Sequence, residues 1–585
     1  MSSCRVIREA LRNDPRTAPV RARFAAALLL SLALGGGSSS AADTYPKNPG
    51  IDVAEYVFRL ELNDGNDSIT GLATVDVRFR IAGLTAVELD LIGPSEPAAE
   101  TGMSINGVWV ADGLSEDEAM APSLDGSARG SAAQFSHSND RLRILLPRPS
   151  TVGQRILLTV AYAGVPATGL IIGENKHGDR TFFSDNWPDK ARHWLPTVDH
   201  PYDKAMSQLV VTAPGQYQVV SNGLLVEETD LADGSRLTHW RQSVPIAPWL
   251  YMLGAARFAV QHLGNHTGVP VQTWVYAQDR DAGFYDFAYP TREALGFFAD
   301  AIGPYAYEKL ANIQSNSVGG GMEAASAIFY GDDSVTGTRS IRWRNVIIHE
   351  IAHQWFGNAI TEYDWDDVWL SEGFATYFTL LFIEHAYGRD AFVDGLRSAS
   401  ARVLAFYDTN PDYRIVHDNL DDMSAVTTGM QYQKGAWTLH MLRGLVGTET
   451  FWEGIRRYYA KYFNAHASTD GFRGVMEEVS GQDLKWFFDQ WLYRGGGGIG
   501  LEGSWRYDAA SRAVVLDIRQ PSDYVYRTPL TVELRNGDGS RHRQVVELQA
   551  AAHRFSIDAG SEPTAVVLDP DTWLLLRGVV ARSDS

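Results

Sequence analysis

A change of texture along the chain constrains its fold most. From residue 43 to about 257 the sequence is made of short runs of β-formers, such as 73–79 and 155–161. Turn pairs such as Asn222-Gly223 and Asp233-Gly234 punctuate them. From about 280 the apolar residues take helical spacing, over 290–301, 341–360, 368–387, 390–407, 429–446 and 484–493. Four glycines at 495–498 read as a linker. Short strand-like runs follow, with Asn536-Gly537-Asp538-Gly539 as a hairpin turn. No internal repeat is evident. The order β, mainly helical, β predicts an α+β multidomain chain, divided at 43–257, 258–494 and 495–585. The 585 residues suffice for such a division.

Composition narrows the class. Hydrophobic residues make up 45% and charged residues 21%, which excludes wholesale disorder. A formal net charge of −20 argues against a broad nucleic-acid-binding surface. The first 42 residues have the form of an export signal. Arg5, Arg8, Arg12, Arg16, Arg21 and Arg23 precede or open a mostly apolar stretch at 24–34, and small residues end at Ala41 and Ala42. That stretch is too short to span a bilayer, and no other segment approaches the required length, so no membrane span is expected. Cleavage after the leader would strip six arginines and two acids and leave a charge of −24. It would also remove Cys4, the only cysteine, so neither a disulfide nor a thiolate nucleophile is available to the mature chain. A cysteine-free exported chain fits a bacterial periplasm, or a secreted protein without a disulfide framework.

The chemistry lies in the helical region. His349-Glu350-Ile351-Ala352-His353 is H-E-x-x-H, and residues i and i+4 share one helix face, so both imidazoles can reach one cation. Glu350 sits beside them, able to address a water on that cation. A catalytic zinc site commonly has three protein ligands and one open position, so a third acid or histidine is expected further along. Trp369-Leu370-Ser371-Glu372-Gly373-Phe374-Ala375-Thr376-Tyr377 supplies Glu372, with 18 residues between it and His353.

H-E-x-x-H followed after 18 residues by the Glu of W-x-x-E-G-F-A resembles the M1 (gluzincin) metallo-aminopeptidases. Gly320-Gly321-Met322-Glu323 resembles the family's G-x-M-E-N exopeptidase motif, and Tyr432-Gln433-Lys434-Gly435-Ala436 its Y-x-K-G-A. The resemblance implies an N-terminal β-sheet domain, a thermolysin-like catalytic domain and a small C-terminal β-sandwich. It implies one Zn²⁺ held by His349, His353 and Glu372, which lowers the pKa of its water toward ~7 and polarises the scissile carbonyl. Glu350 would take the water's proton and pass it to the leaving amine. Tyr432 would donate to the developing oxyanion, and Glu323 would bind the substrate's α-ammonium. The implied activity is removal of N-terminal residues from short peptides. Another zinc hydrolase, such as an endopeptidase, and a non-catalytic zinc-stabilised peptide-binding module are the alternatives.

The chain departs from the family pattern twice. Ala324 stands where the family has Asn. Aligning on Ala191-Arg192, Pro196 and Asp199-His200-Pro201 puts Asp185 and Trp187 where the family carries a Gln-x-Glu pair. Asp185 could supply the missing carboxylate and Trp187 a cation–π face, or the two could belong to a simple turn. Asp367 is a candidate partner for a zinc-binding histidine, or equally a helix N-terminal acid. His440 is expected to be a core or surface residue.

Overall fold

In the computed structural model, which describes residues 43–94, 101–112, 130–417 and 420–583, the first region folds as an eight-stranded sheet with two smaller sheets against it. The expected leader and Cys4 lie outside the described residues. Ile51–Glu61 runs antiparallel to Ile69–Phe79, with Tyr56 opposite Val75, and parallel to Ala205–Pro214. Tyr56, Phe58 and Leu60 alternate into the core, as a strand with one buried face requires. That core continues into the next region, taking in Ala311, Ile313 and Phe329.

Those residues belong to a five-stranded sheet that opens the middle region: Phe258–His266, Val269–Tyr276, Leu310–Ser315, Ala327–Gly331 and, at the edge, Gly321–Met322. Leu310–Ser315 is buried on both faces, one in each core. Helices follow. They are α1 (Arg280–Ala301), α2 (Ile341–His353), α3 (Trp369–Tyr387), α4 (Arg389–Tyr407), α5 (Gly429–Val446), α6 (Thr448–Tyr462), α7 (Thr469–Ser480) and α8 (Lys485–Trp491). The sequence reading begins α1 at Pro290, but the helix starts ten residues earlier and runs through it. Burial of Phe287, Ala294, Leu295 and Phe298 outweighs the hydrogen bond that proline removes. It also carries α2 past its true end: the chain leaves the helix after His353 and forms a strand at Ile360–Glu362. Helices α6 and α7, and the five-stranded sheet, are additions to the sequence reading. Helix α5 begins with a capping box, Thr428 against Gln431.

After α8 the chain forms sheets of four and three strands. Asn536 to Gly539 does turn a hairpin, between Thr528–Arg535 and Arg541–Leu548. The glycines at 495–498 are not a flexible linker. A Cβ on Gly495 would lie 2.6 Å from the Pro411 carbonyl, and one on Gly498 2.9 Å from that of Leu575. The Gly496 carbonyl accepts from Lys434 Nζ of α5 at 2.8 Å. Glycine is used there for close packing. Among the described residues no helix is long and apolar enough to cross a membrane.

Candidate active site

Helix α2 presents His349 and His353 one turn apart, and α3 crosses it so that Glu372, in its first turn, faces both. The two Nε2 atoms are 3.1 Å apart, and Glu372 Oε2 lies 3.4 Å from one and 3.2 Å from the other. Ligands about 2.0–2.1 Å from a tetrahedral zinc stand roughly 3.3–3.4 Å from each other, so the three atoms form one face of such a tetrahedron. Glu372 Oε2 is buried and makes no hydrogen bond, as a ligand atom awaiting a cation would be. His353 turns its other nitrogen to the Phe356 carbonyl at 3.1 Å and to Ser371 Oγ at 3.0 Å, which leaves Nε2 directed at the centre. The donor set fits zinc.

Helices α3 and α5 touch through glycine. A Cβ on Gly435 would come within 2.9 Å of Gly373 Cα. This closeness lets Tyr432 Oη donate to Glu372 Oε1 at 2.7 Å, with its ring stacked 5.9 Å from that of His349. Burial, and then Glu372, push the Tyr432 phenol well above its ordinary value, so it remains a proton-bearing donor.

The edge strand Gly321–Met322 delivers Glu323 to the other side of the donors. Its carboxylate is buried, with Oε1 3.8 Å from His353 Nδ1 and making no hydrogen bond. Gln354 and Asn358 fix the main chain there: their amides donate to the Glu323 carbonyl at 3.0 and 2.7 Å, and Gln354 Oε1 accepts from Ser326 N. Glu350 packs directly under this strand, and a Cβ on Gly321 would run into its carboxylate. Glu323, Glu350 and His353 have ligand atoms within 4.8 Å of one another.

Electrostatics follow from this crowding. Burial alone would raise Glu372, but His353 and His349 hold it down to about 2. Burial pushes Glu323 up to about 7, with Glu372 and Asp185 adding to the rise and His353 opposing it. Burial, and then Glu323, push Glu350 well above the usual carboxylate range. A carboxyl so raised holds a proton more tightly than a free one, as a group that takes up a proton in a reaction requires.

Asp185 lies in the loop after Arg180–Ser184, 3.5 Å from Lys190 Nζ; burial raises it and Lys190 opposes the rise. Its charge adds a minor share to the rise at Glu323. Trp187 packs edge-to-face with Trp249 and Trp365, at 4.8 and 5.1 Å, and is half-buried against the N-terminal core. Asp367 touches neither histidine. Its carboxylate accepts from Thr469 N and Oγ1, and so ties the segment before α3 to the first residue of α7, whose own N-cap is Ser468. His440 is buried, bonded to the Thr572 carbonyl and stacked on Trp573. Sequence reasoning missed Ser371, Gln354 and Asn358. The only trace of Asn358 is a polar residue in an otherwise apolar run after the H-E-x-x-H motif.

Two family models match the chain: the peptidase family M1 domain over residues 289–491, and the peptidase M1 N-terminal domain over 125–250. Among curated proteins, glutamyl aminopeptidase of Bitis rhinoceros is 30% identical over 332 residues, covering 54% of this chain and 35% of that protein. Aminopeptidase N of Streptomyces lividans is 28% identical over 474 residues, covering 73% of this chain and 52% of that protein. The chain thus spans about a third to a half of the length of the curated relatives it matches. An M1 zinc metallopeptidase from Deinococcus radiodurans superposes with a TM-score of 0.62 at 25% identity, over 76% of this chain and 93% of its own. The two matched domains belong to one family and together take in more than half of the sequence: the chain belongs to peptidase family M1.

Proposed function

We propose that the protein is a zinc-dependent aminopeptidase that removes single residues from the free N-terminus of short peptides. The observation that carries this reading is Glu323, a buried carboxylate with an oxygen that makes no hydrogen bond, 3.8 Å from the His353 ring of the donor set. A carboxylate at a fixed offset from the metal favours substrates whose ammonium ends one residue from the scissile bond. Asp185, paired with Lys190, is a second carboxylate whose charge reaches Glu323.

His349, His353 and Glu372 would hold the zinc, with Ser371 and the Phe356 carbonyl fixing the His353 ring. Bound zinc supplies Lewis acidity, which activates water and polarises the carbonyl. Glu350 takes the proton from the attacking water and returns it to the leaving amine. Tyr432 Oη, now on Glu372, can swing to the carbonyl oxygen as negative charge grows there. Glu323 anchors the amine, and Gln354 and Asn358 hold its main chain still. No covalent intermediate is required.

The test is hydrolysis of aminoacyl chromogenic amides, each paired with its N-acetylated form, with and without chelator. Cleavage of the free-amine forms alone, lost on chelation and restored by zinc, is expected. Cleavage of the acetylated forms would make the enzyme an endopeptidase, and zinc binding with no hydrolysis of any substrate would make it a binding module. We also propose that the chain is exported to a periplasm or secreted, on the strength of the basic and apolar leader over 1–42. The N-terminal sequence of protein recovered outside the cytoplasm tests this.

A further inference from the structure

On the flank of the site formed by His349 and Tyr432 lies a cavity of about 310 Å³. Helix α4 lines it with Ser398 and Arg402, one turn apart, and α2 with Asn345, one turn before His349. No carboxylate lines it, although the chain carries a net charge of −20 and acids crowd the Glu323 side. Arg402 is exposed and forms no hydrogen bond or ion pair among the described residues. The neighbouring cations are engaged: Arg397 pairs with Asp394 at 3.6 Å, and Arg344 donates to Asn345 Oδ1 at 3.1 and 2.9 Å. An arginine without a partner beside the reacting groups is a ready site for an anion.

We propose that this cavity receives the departing part of the substrate and that Arg402 binds its terminal carboxylate. The inference deepens the aminopeptidase reading and rests on it. If the N-terminal residue sits on the Glu323 side, the rest of the peptide leaves on the His349 and Tyr432 side. The site is then polarised end to end, carboxylates at one end and a guanidinium at the other, matching a short free peptide, itself a zwitterion. Each added residue carries the carboxylate up to about 3.3–3.6 Å further, so selectivity peaks at one short length and falls beyond it. The substrate class is free peptides of a few residues, in preference to amidated peptides or protein N-termini.

The experiment compares kcat/KM for one tripeptide as free acid and as C-terminal amide, its N-terminal residue being the best from the chromogenic panel. The wild type should prefer the acid by about two- to fivefold, mainly through KM. Arg402→Gln should erase that preference and Arg402→Lys keep most of it. Thermal unfolding of both variants should match the wild type, since the side chain has no partner in the fold. Equal rates on acid and amide by a wild type that cleaves the chromogenic amides would overturn this inference alone, as would a preference that survives in Arg402→Gln. Failure of the wild type to cleave any chromogenic amide or peptide would overturn the aminopeptidase reading, and this inference with it.

Discussion

Gly435→Ala is a small change with a large expected effect on turnover. The new Cβ would lie 2.9 Å from Gly373 Cα and 3.8 Å from Trp369 Cβ, with backbone rather than a flexible tip as the nearest obstacle. Carbon atoms pack best at about 3.5–4.0 Å, so α3 and α5 must separate by roughly 0.6–1 Å. Overpacking of this kind costs about 1–3 kcal/mol, and replacing glycine by alanine within a helix returns about 1. The net loss of stability is therefore at most about 2 kcal/mol, and the protein stays folded. The displacement falls on the 2.7 Å bond from Tyr432 to Glu372, that is, on the group meant to meet the oxyanion and on a metal ligand. A misplacement near 1 Å can cost about a hundredfold in rate. We expect kcat on an aminoacyl anilide to fall by about 10- to 100-fold, with Tm only slightly lower. Gly474→Ala is the control: nothing lies within 4 Å of its Cβ on α7, so it should gain up to about 1 kcal/mol and leave kcat alone. A Gly435→Ala enzyme with zinc bound and kcat within about twofold of wild type would refute the idea that helix proximity positions Tyr432.

Three further outcomes are expected. Glu350→Gln should lower kcat by at least about 10²–10⁴-fold while metal analysis still finds one zinc per chain; equal activity would remove the general base. Asp185→Ala should raise KM for free-amine substrates several-fold with little change in kcat, and an unchanged KM would end its role in amine binding. The third concerns acid stability. Burial would raise the Glu384 carboxyl, but Arg443 and Arg389, each 2.8 Å away, lower it below its ordinary 4.5. Its contribution is thus complete above pH 4.5 and is lost as the pH falls through the lowered value. Glu384→Gln should cost about 1–2 kcal/mol at pH 7 and less in acid, read from urea unfolding across pH 3–7. An equal cost at every pH would show that packing, not charge, holds that corner.

The candidate metal ligands were legible because their constraint is local. Two histidines four apart on a helix share a face whatever surrounds them, and Glu372 lies in a sequence motif of its own. What escaped was set by distant partners. Asp367 is open in the sequence between a partner for a histidine and a helix N-terminal acid, and the group that takes its carboxylate, Thr469, is 102 residues further on. Helix α6 repeats Phe451, Ile455, Tyr458 and Tyr459 at helical spacing, but aromatic residues favour strands as well, and the signal was ambiguous. Pro290 looked like a helix start because its local cost is plain, while the burial that offsets it comes from other elements. Arg402 carries no motif; only the cavity wall singles it out.

The glycines at 495–498 illustrate the two uses of that residue, slackness and close fit, which a sequence cannot tell apart. Their packing has a practical consequence. Lys434 reaches into them from the same helix that carries Tyr432, two residues earlier, so the last ninety residues are mechanically in series with the reacting groups. A protease should find no foothold at this seam in the native protein. On the proposed mechanism, a chain cut at 494 would leave Tyr432 on an unbraced helix rather than yield a minimal catalytic core. Anyone choosing a place to graft a tag or exchange the C-terminal sheets should expect the graft to register first in turnover.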